Sequence, residues 1–364
     1  MANIEIESVS KSFGPTLAVN GISFKMSSGT FTVILGPSGS GKTTLLRCVA
    51  GFERPDSGTI RIGGAPVNDV PTRDRDVAMV FQSYALFPLM TIRDNIGFPL
   101  KARNVPQAEI DARVRQVAEL LVIKDLLEKK PSQLSGGEQQ RASLGRALVR
   151  QCNVVLMDEP FTSLDAALRT QMRTELRRIK RETQMTAIYV THDQAEAMGL
   201  ADMIAVLDKG KLMQHGAPLD VYSKPENSFT AGFVGNPPSN ILTARFSIDG
   251  AGGVVKIDNA SIRVDGPSAT ILRQKVGDGA EVLVGIRPED IEEFTSRKSD
   301  SDLEIVVESI EPLGSSIAVS SLVDDKIFRL VLPPDRSVAP GDHLWLEWES
   351  SKMHIFEKGG NLLL

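Results

Sequence analysis

Cysteine is nearly missing from this 364-residue chain, in which only Cys48 and Cys152 occur. Two cysteines cannot build a disulfide framework, and both sit in segments that read as regular structure, so a reduced, cytoplasmic setting is expected. Aromatic residues make up only 5%, too few for a platform on which nucleic-acid bases stack. No stretch reaches the roughly 18 uninterrupted apolar residues of a membrane helix. The opening MANIEIESVS has no basic head followed by an apolar run, so the chain is expected neither to be exported nor to span a membrane. Polybasic runs are lacking too, which removes the usual footprint of a nucleic-acid or anionic-lipid surface.

What is present suits a folded protein of two domains. Apolar residues at 41% and charged residues at 24% can bury an ordinary core, and the length exceeds that of a usual single domain. The net charge of −5 is unevenly spread: residues 236–364 hold 13 Lys and Arg against 21 Asp and Glu, leaving the earlier part slightly positive. A cluster of Gly, Pro and Asn in GFVGNPPSN marks the composition change, so the expected domains are 1–235 and 236–364.

In the first part, IEIESVS alternates like a strand, and FTVIL runs directly into a glycine loop followed by the helical TTLLRCVA, with Gly51 as its stop. QAEIDARVRQVAELLVIKDLLEKK, between Pro106 and Lys130, reads as amphipathic helices inserted into the sheet architecture, a helical subdomain at about residues 85–150. NVVLMDEP and MTAIYVTHD, separated by a helical stretch, read as a parallel α/β sheet. Beyond Asn236, short runs such as EVLVGI, SIAVSSLV and IFRLVL suggest a small all-β barrel or sandwich.

Three motifs carry chemistry. Gly36, Pro37, Ser38, Gly39, Ser40, Gly41, Lys42, Thr43 and Thr44 form a glycine loop between a strand and a helix. In such a loop backbone N–H groups converge on phosphate oxygens, Lys42 adds a charge and the Thr43 hydroxyl ligates Mg²⁺. VVLMDEP ends a strand in Asp158 and Glu159. Asp158 would hold the Mg²⁺ ion, mostly through water, and Glu159 would polarise the water that attacks the γ-phosphate. In LSGGEQQ, Ser135, Gly136 and Gly137 precede a helical stretch and make a second phosphate cradle at a helix N-terminus. One nucleotide cannot easily fill two separated cradles, so each is expected to face a different ATP across a homodimer.

Together these motifs resemble, over residues 1–235, the ATP-binding cassette family: GPSGSGKT its Walker A loop, LSGGEQQ its signature, VVLMDEP its Walker B strand and Ser163–Asp165 its D-loop. The resemblance implies an α/β P-loop NTPase fold with a helical subdomain, and further roles. Gln82 in VFQSYALFP would be the Q-loop glutamine, sensing Mg²⁺ and the attacking water; His192 in YVTHDQAEA would be the switch histidine; Asp165 would serve the nucleotide site through the D-loop. Phe13 in SKSFG matches the aromatic that stacks on adenine, and Glu138 stands where the signature usually has Gln.

VGIRPEDI at Val284–Ile291 resembles the TOBE domain, an OB-like barrel at the C-terminus of importer ATPases. With FVGNPPSN and LGRALVR, the chain looks most like the ATPases of carbohydrate and glycerol-phosphate importers, polyamine and ferric-iron importers being alternatives. This implies two transmembrane permease subunits, an extracytoplasmic solute-binding protein, and a place on the inner face of the cell membrane. The segment SYALFPLMTIRDN, with Tyr84 and Phe87, is the expected docking surface. A cassette ATPase acting on ribosomes or DNA is the remoter alternative, disfavoured by the acidic C-terminal part.

Overall fold

A computed structural model describes residues 2–299 and 301–364. The chain divides into two compact units, Met1–Pro218 and Leu219–Leu364, and the compositional break near Asn236 lies inside the second.

The first unit begins with an antiparallel hairpin, β1 (Ile4–Phe13) and β2 (Thr16–Met26). Next come β3 (Phe31–Leu35), α1 (Lys42–Ala50), β4 (Ser57–Ile62), β5 (Ala65–Pro66) and β6 (Val77–Val80). Three helices follow: α2 (Ile92–Lys101), α3 (Gln107–Leu120) and α4 (Gly136–Leu148). The unit is completed by β7 (Val154–Asp158), α5 (Ala166–Thr183), β8 (Thr186–Thr191), α6 (Gln194–Leu200), β9 (Met203–Asp208) and β10 (Lys211–Gly216).

Two sheets enclose α1. The first has the order β2-β1-β4-β5, the second β10-β9-β3-β8-β7-β6. In the second sheet β3, β6, β7, β8 and β9 run parallel and only β10 pairs antiparallel. Every residue of β3 and β8 is buried, as the near-continuous apolar runs of these strands require in a sheet covered on both faces. Leu45, Leu46 and Val49 of α1 pack between Ile4, Ile6 and Ile60 of one sheet and Ile34, Leu156 and Ile188 of the other. At the C-terminus of α1, Gly51 takes φ 83°. Arg75 lies where a Gly51 side chain would stand, donating to the carbonyls of Cys48 (2.8 Å) and Val49 (2.7 Å), so the helix end is satisfied without water.

The register of the parallel sheet places the chemistry. Leu35 pairs with Thr191, and Asp158 with Val190. The chain leaving β3 at Gly36, β7 at Glu159 and β8 at His192 therefore emerges side by side at the carboxyl edge, where open α/β sheets bind ligands.

The amphipathic stretch after Pro106 is helical only to Leu120. Val122 takes φ 55° and the chain continues through a 3-10 turn at Lys124–Leu126. Of the apolar residues in that half, Ile123 and Leu127 are buried from turns rather than from a helix, while Val122 is exposed. Cys152 also departs from expectation: it lies in the connection between α4 and β7 and is shielded by packing, not by regular structure.

The second unit begins in α7 (Pro218–Ser223) and α8 (Ser228–Phe233), then β11 (Asn240–Asp249), β12 (Gly252–Ile257) and β13 (Ala260–Val264). A helix not anticipated from the sequence, α9 (Gly266–Lys275), precedes β14 (Glu281–Ile286), β15 (Glu292–Phe294) and β16 (Leu303–Val306). Pro267 in its first turn and the burial of Ala269 and Leu272, three apart, account for that helix. The chain ends with β17 (Ser309–Pro312), β18 (Ile317–Val323), β19 (Lys326–Leu332), β20 (His343–Glu347) and β21 (His354–Glu357). Their sheets, β13-β12-β11-β14-β21, β15-β20-β16 and β17-β18-β19, close on one core that includes Phe246, Val282, Phe328, Leu330 and Leu346. The run LEIVVESI divides into two strands because Val307 instead exchanges hydrogen bonds with Asp342 and Gly341.

Candidate functional site

The glycine loop is shaped by close backbone approach. A Cβ on Gly36 would stand 2.3 Å from the carbonyl oxygen of Leu207, and one on Gly41, at φ 96°, would stand 2.2 Å from that of Ala18. Gly39 adopts φ 79° with open space around it, and Ser38 beside it is exposed. Inside the loop the Lys42 ammonium donates to the carbonyls of Gly36 (2.9 Å) and Pro37 (2.8 Å). Lys42 is buried, which depresses its pKa, while the charges of Glu159 and Asp158 pull it back up. Ser40 is buried as well, and its hydroxyl has no hydrogen-bond partner. A buried cation satisfied only by carbonyls, beside an orphaned buried hydroxyl, marks a site suited to an anion.

Across the loop, the Thr43 hydroxyl donates to Asp158 Oδ1 at 3.0 Å, while Thr44 follows on the same turn of α1. Burial raises the Asp158 pKa, and the Thr43 hydrogen bond opposes that shift. Glu159 takes φ 43°, and its N–H donates to the Val190 carbonyl (3.0 Å), which turns the side chain away from that of Asp158. Glu159 Oε2 lies 3.2 Å from His192 Nδ1 and accepts from the Thr162 hydroxyl at 3.1 Å. Two adjacent carboxylates thus face different partners, one a hydroxyl on the phosphate loop and the other an imidazole. That separation lets one hold a cation while the other takes a proton.

Ser135 caps α4, with Gly136 and Gly137 in its first turn. Glu138 completes a capping box, accepting from the Ser135 N–H (2.7 Å) and hydroxyl (2.8 Å), and these bonds hold its carboxyl below the usual range. Gly137 lies against Leu168, whose Cδ1 would stand 2.8 Å from a Cβ built there. Leu168 in turn donates its N–H to Asp165, the N-cap of α5.

Gln82 is exposed in the segment after β6, and Phe13, 47% exposed at the end of β1, has the Lys11 ammonium 5.5 Å from its ring centroid. Tyr84 and Phe87 part ways. The Phe87 ring packs beside Phe98 with 4.7 Å between centroids and stays exposed, whereas Tyr84 is half-buried and its hydroxyl lies 2.7 Å from Ser163 Oγ. Ser143 and Arg146 of α4 both donate to the Tyr84 carbonyl. Sequence motifs did not single out Ser163 as a hydrogen-bond partner, nor Ser143, Arg146 or Leu207, because each acts by long-range contact.

Residues 19–162 match the ABC transporter family, residues 235–291 the MalK OB fold domain and residues 284–356 the TOBE domain. The chain is 45% identical to the trehalose/maltose import ATP-binding protein MalK of Thermococcus litoralis, with 98% of each chain covered. It is 42% identical to the sulfoquinovosyl glycerol transport ATP-binding protein SmoE of Agrobacterium fabrum, and 40% identical to the sn-glycerol-3-phosphate import ATP-binding protein UgpC of Paracoccus denitrificans, again over 98% of each. Among solved structures, cbiO1 from Clostridium perfringens, part of the ABC transporter complex cbiONQ, aligns with a TM-score of 0.57 at 27% identity, covering 61% of this chain and 90% of that one.

Proposed function

The chain belongs to the ATP-binding cassette family of transporter ATPases, and we propose that it powers uptake of a sugar or glycerol-phosphate as one of two identical ATP-hydrolysing subunits beneath a membrane importer. The observation that carries the hydrolytic part is the position of Glu159 Oε2, 3.2 Å from His192 Nδ1 and next along the chain to the Asp158 that receives the Thr43 hydroxyl. The substrate class rests on relatives of nearly equal length whose names specify sugars and glycerol-phosphate.

ATP binding uses Lys42 and the backbone N–H groups of Gly36 and of Ser38 through Thr44 on the phosphates, and Phe13 for the adenine. Thr43 and Asp158 fit a magnesium ion: one half-buried carboxylate raised in pKa beside one hydroxyl suits a cation that takes its other ligands from phosphate and water. Among the described residues no group of three or more His, Cys, Asp or Glu could hold a metal by itself. Bound there, magnesium neutralises charge on the transferred phosphoryl oxygens. Gln82 would sense this metal and the attacking water. Glu159 accepts the proton of that water, and His192 steadies Glu159 and the γ-phosphate. Ser135, Gly136 and Gly137 close on the ATP of the second copy, and Asp165 orders the loop between the two sites.

Among the described residues no helix is long and apolar enough to cross a membrane, so work on a solute requires membrane partners. Two permease subunits fit the surface around a cavity of about 480 Å³ lined by Phe81, Phe87, Phe98, Pro99, Arg146 and Arg150. Leu89 nearby is 84% exposed. The complex would sit on the cytoplasmic face and receive solute from an extracytoplasmic binding protein. The test is affinity purification of the tagged full chain from detergent-solubilised membranes. Recovery with two integral membrane proteins is expected; recovery with ribosomes or DNA instead would reject the importer.

A further inference from the structure

Behind His192 lies a polar cluster that hydrolysis does not use directly. Glu196, only 3% exposed, accepts from the Tyr189 hydroxyl and the Thr191 hydroxyl, both at 2.7 Å. A buried carboxylate is costly unless a cation faces it. Arg169 supplies that cation, its Nε lying 4.0 Å from Glu196 Oε1. The same guanidinium reaches two loops. Its Nη1 donates to Asp193 Oδ2 at 3.3 Å and its Nη2 to the Leu164 carbonyl at 3.1 Å.

These bonds bracket the histidine. Asp193 follows it directly, donating its N–H to the Thr191 hydroxyl (2.9 Å) and accepting from the Glu196 N–H (3.0 Å). Thr191 precedes it. The imidazole itself is half exposed and touches Glu159, so its orientation comes from its pinned neighbours rather than from its own packing. Leu164 stands immediately before Asp165 in the segment Ser163–Asp165. One planar fork therefore holds the loop carrying His192 and the loop preceding α5 at a fixed separation, a task the single ammonium of lysine cannot duplicate.

We infer that Arg169 is a positioning residue for ATP hydrolysis, locking the His192 loop to the Leu164–Asp165 loop so that the histidine meets Glu159 in one geometry. The inference rests on Glu159 and His192 being the hydrolytic pair. It assigns Arg169 no contact with nucleotide, so its loss should act on turnover and not on binding.

The test compares R169M, which keeps the aliphatic stem, R169K and R169M/D193N in the purified full chain, with E159Q and H192A as controls. R169M is expected to lower kcat by about ten- to a hundredfold, the scale of a small misplacement of a reacting group. KM and the affinity for a fluorescent ATP analogue should stay at wild-type values, while the thermal midpoint falls because Glu196 loses the cation that faces it. R169K should recover part of kcat, and R169M/D193N should be no slower than R169M, because both remove the same link. An unchanged kcat in R169M, or a fall in kcat matched by an equal loss of nucleotide affinity, would overturn the inference. If E159Q and H192A are inactive while R169M is normal, only the role of Arg169 falls. If E159Q and H192A hydrolyse ATP at wild-type rates, the reading beneath it falls first.

Discussion

The hydroxyl of Tyr84 lies 2.7 Å from the hydroxyl of Ser163, joining the segment that follows β6 to the segment that follows β7. The Tyr84 backbone, at φ 58°, is held by Ser143 and Arg146 of α4, and a Cβ on Gly136 would stand 3.4 Å from its hydroxyl. The helical segment and the loop carrying Ser163 are therefore joined through one side chain.

Removing only that hydroxyl, in Y84F, should slow ATP hydrolysis modestly. A single partly exposed hydrogen bond is worth about 0.5–1 kcal/mol net, or about two- to fivefold in rate. S163A should match it, and the double variant should be no slower than either single one. Steady-state kinetics on the three proteins decide this, and a double variant with multiplied losses would show that the two hydroxyls act separately.

E159Q should separate binding from chemistry. Loss of a general base costs about 10² to 10⁴ in rate, while ATP affinity should survive because Lys42 and the loop amides are untouched. Gel filtration with ATP should then show E159Q as a persistent dimer. K42A should instead lose affinity itself, measured by equilibrium nucleotide binding.

Two glycines of one loop should respond differently to alanine. In G36A the new Cβ meets the Leu207 carbonyl oxygen at 2.3 Å, a backbone contact that cannot yield, and the Ser40 hydroxyl at 2.7 Å. Destabilisation by about 1–3 kcal/mol, with loss of ATP binding, is expected from such overpacking. G39A has open space and bears only its left-handed φ of 79°, about 1–2 kcal/mol. Denaturant titrations report the stabilities, and nucleotide binding should survive far better in G39A.

Asp158 gives a prediction with a sign in pH. Burial raises its folded pKa above the ordinary value of 3.8, so folding favours the protonated form. Its contribution is most favourable below the unfolded pKa and is lost as pH rises through the folded one. Without nucleotide, D158N should therefore be more stable than wild type at neutral pH, and the gap should narrow as pH falls toward 4. Thermal melts of both proteins across that range measure the difference directly. Adding Mg²⁺ and ATP should reverse the order, because only the carboxylate gains from the cation, and D158N should hydrolyse poorly.

The local part of this site was legible because its chemistry is written in contiguous residues. A strand, a glycine loop and a helix can be read from FTVILGPSGSGKTT, and the cap of α4 from LSGGE. Legibility ends where residues far apart in sequence meet. Nothing near Gly36 announces the Leu207 carbonyl, and nothing near His192 announces Arg169. The pair Tyr84 and Phe87 shows the same limit: both are aromatic and three residues apart, yet Tyr84, at a left-handed turn, bonds Ser163 far along the chain while Phe87 packs beside Phe98. In the second unit, α9 escaped notice because it is short and buries only two side chains.

The pairing of Leu35 with Thr191 and of Asp158 with Val190 acts as a ruler. Neighbouring strands lie about 4.8 Å apart, so the glycine loop, the carboxylates and the histidine inherit their lateral intervals from the hydrogen-bond lattice of the sheet. A single inserted residue in β7 would turn Asp158 toward the opposite face, whereas an insertion in the turn after α3 would leave every interval intact. Tolerance to length change should thus be mapped by distance from this edge, making the strands a gauge that evolution and engineering can substitute within but not extend.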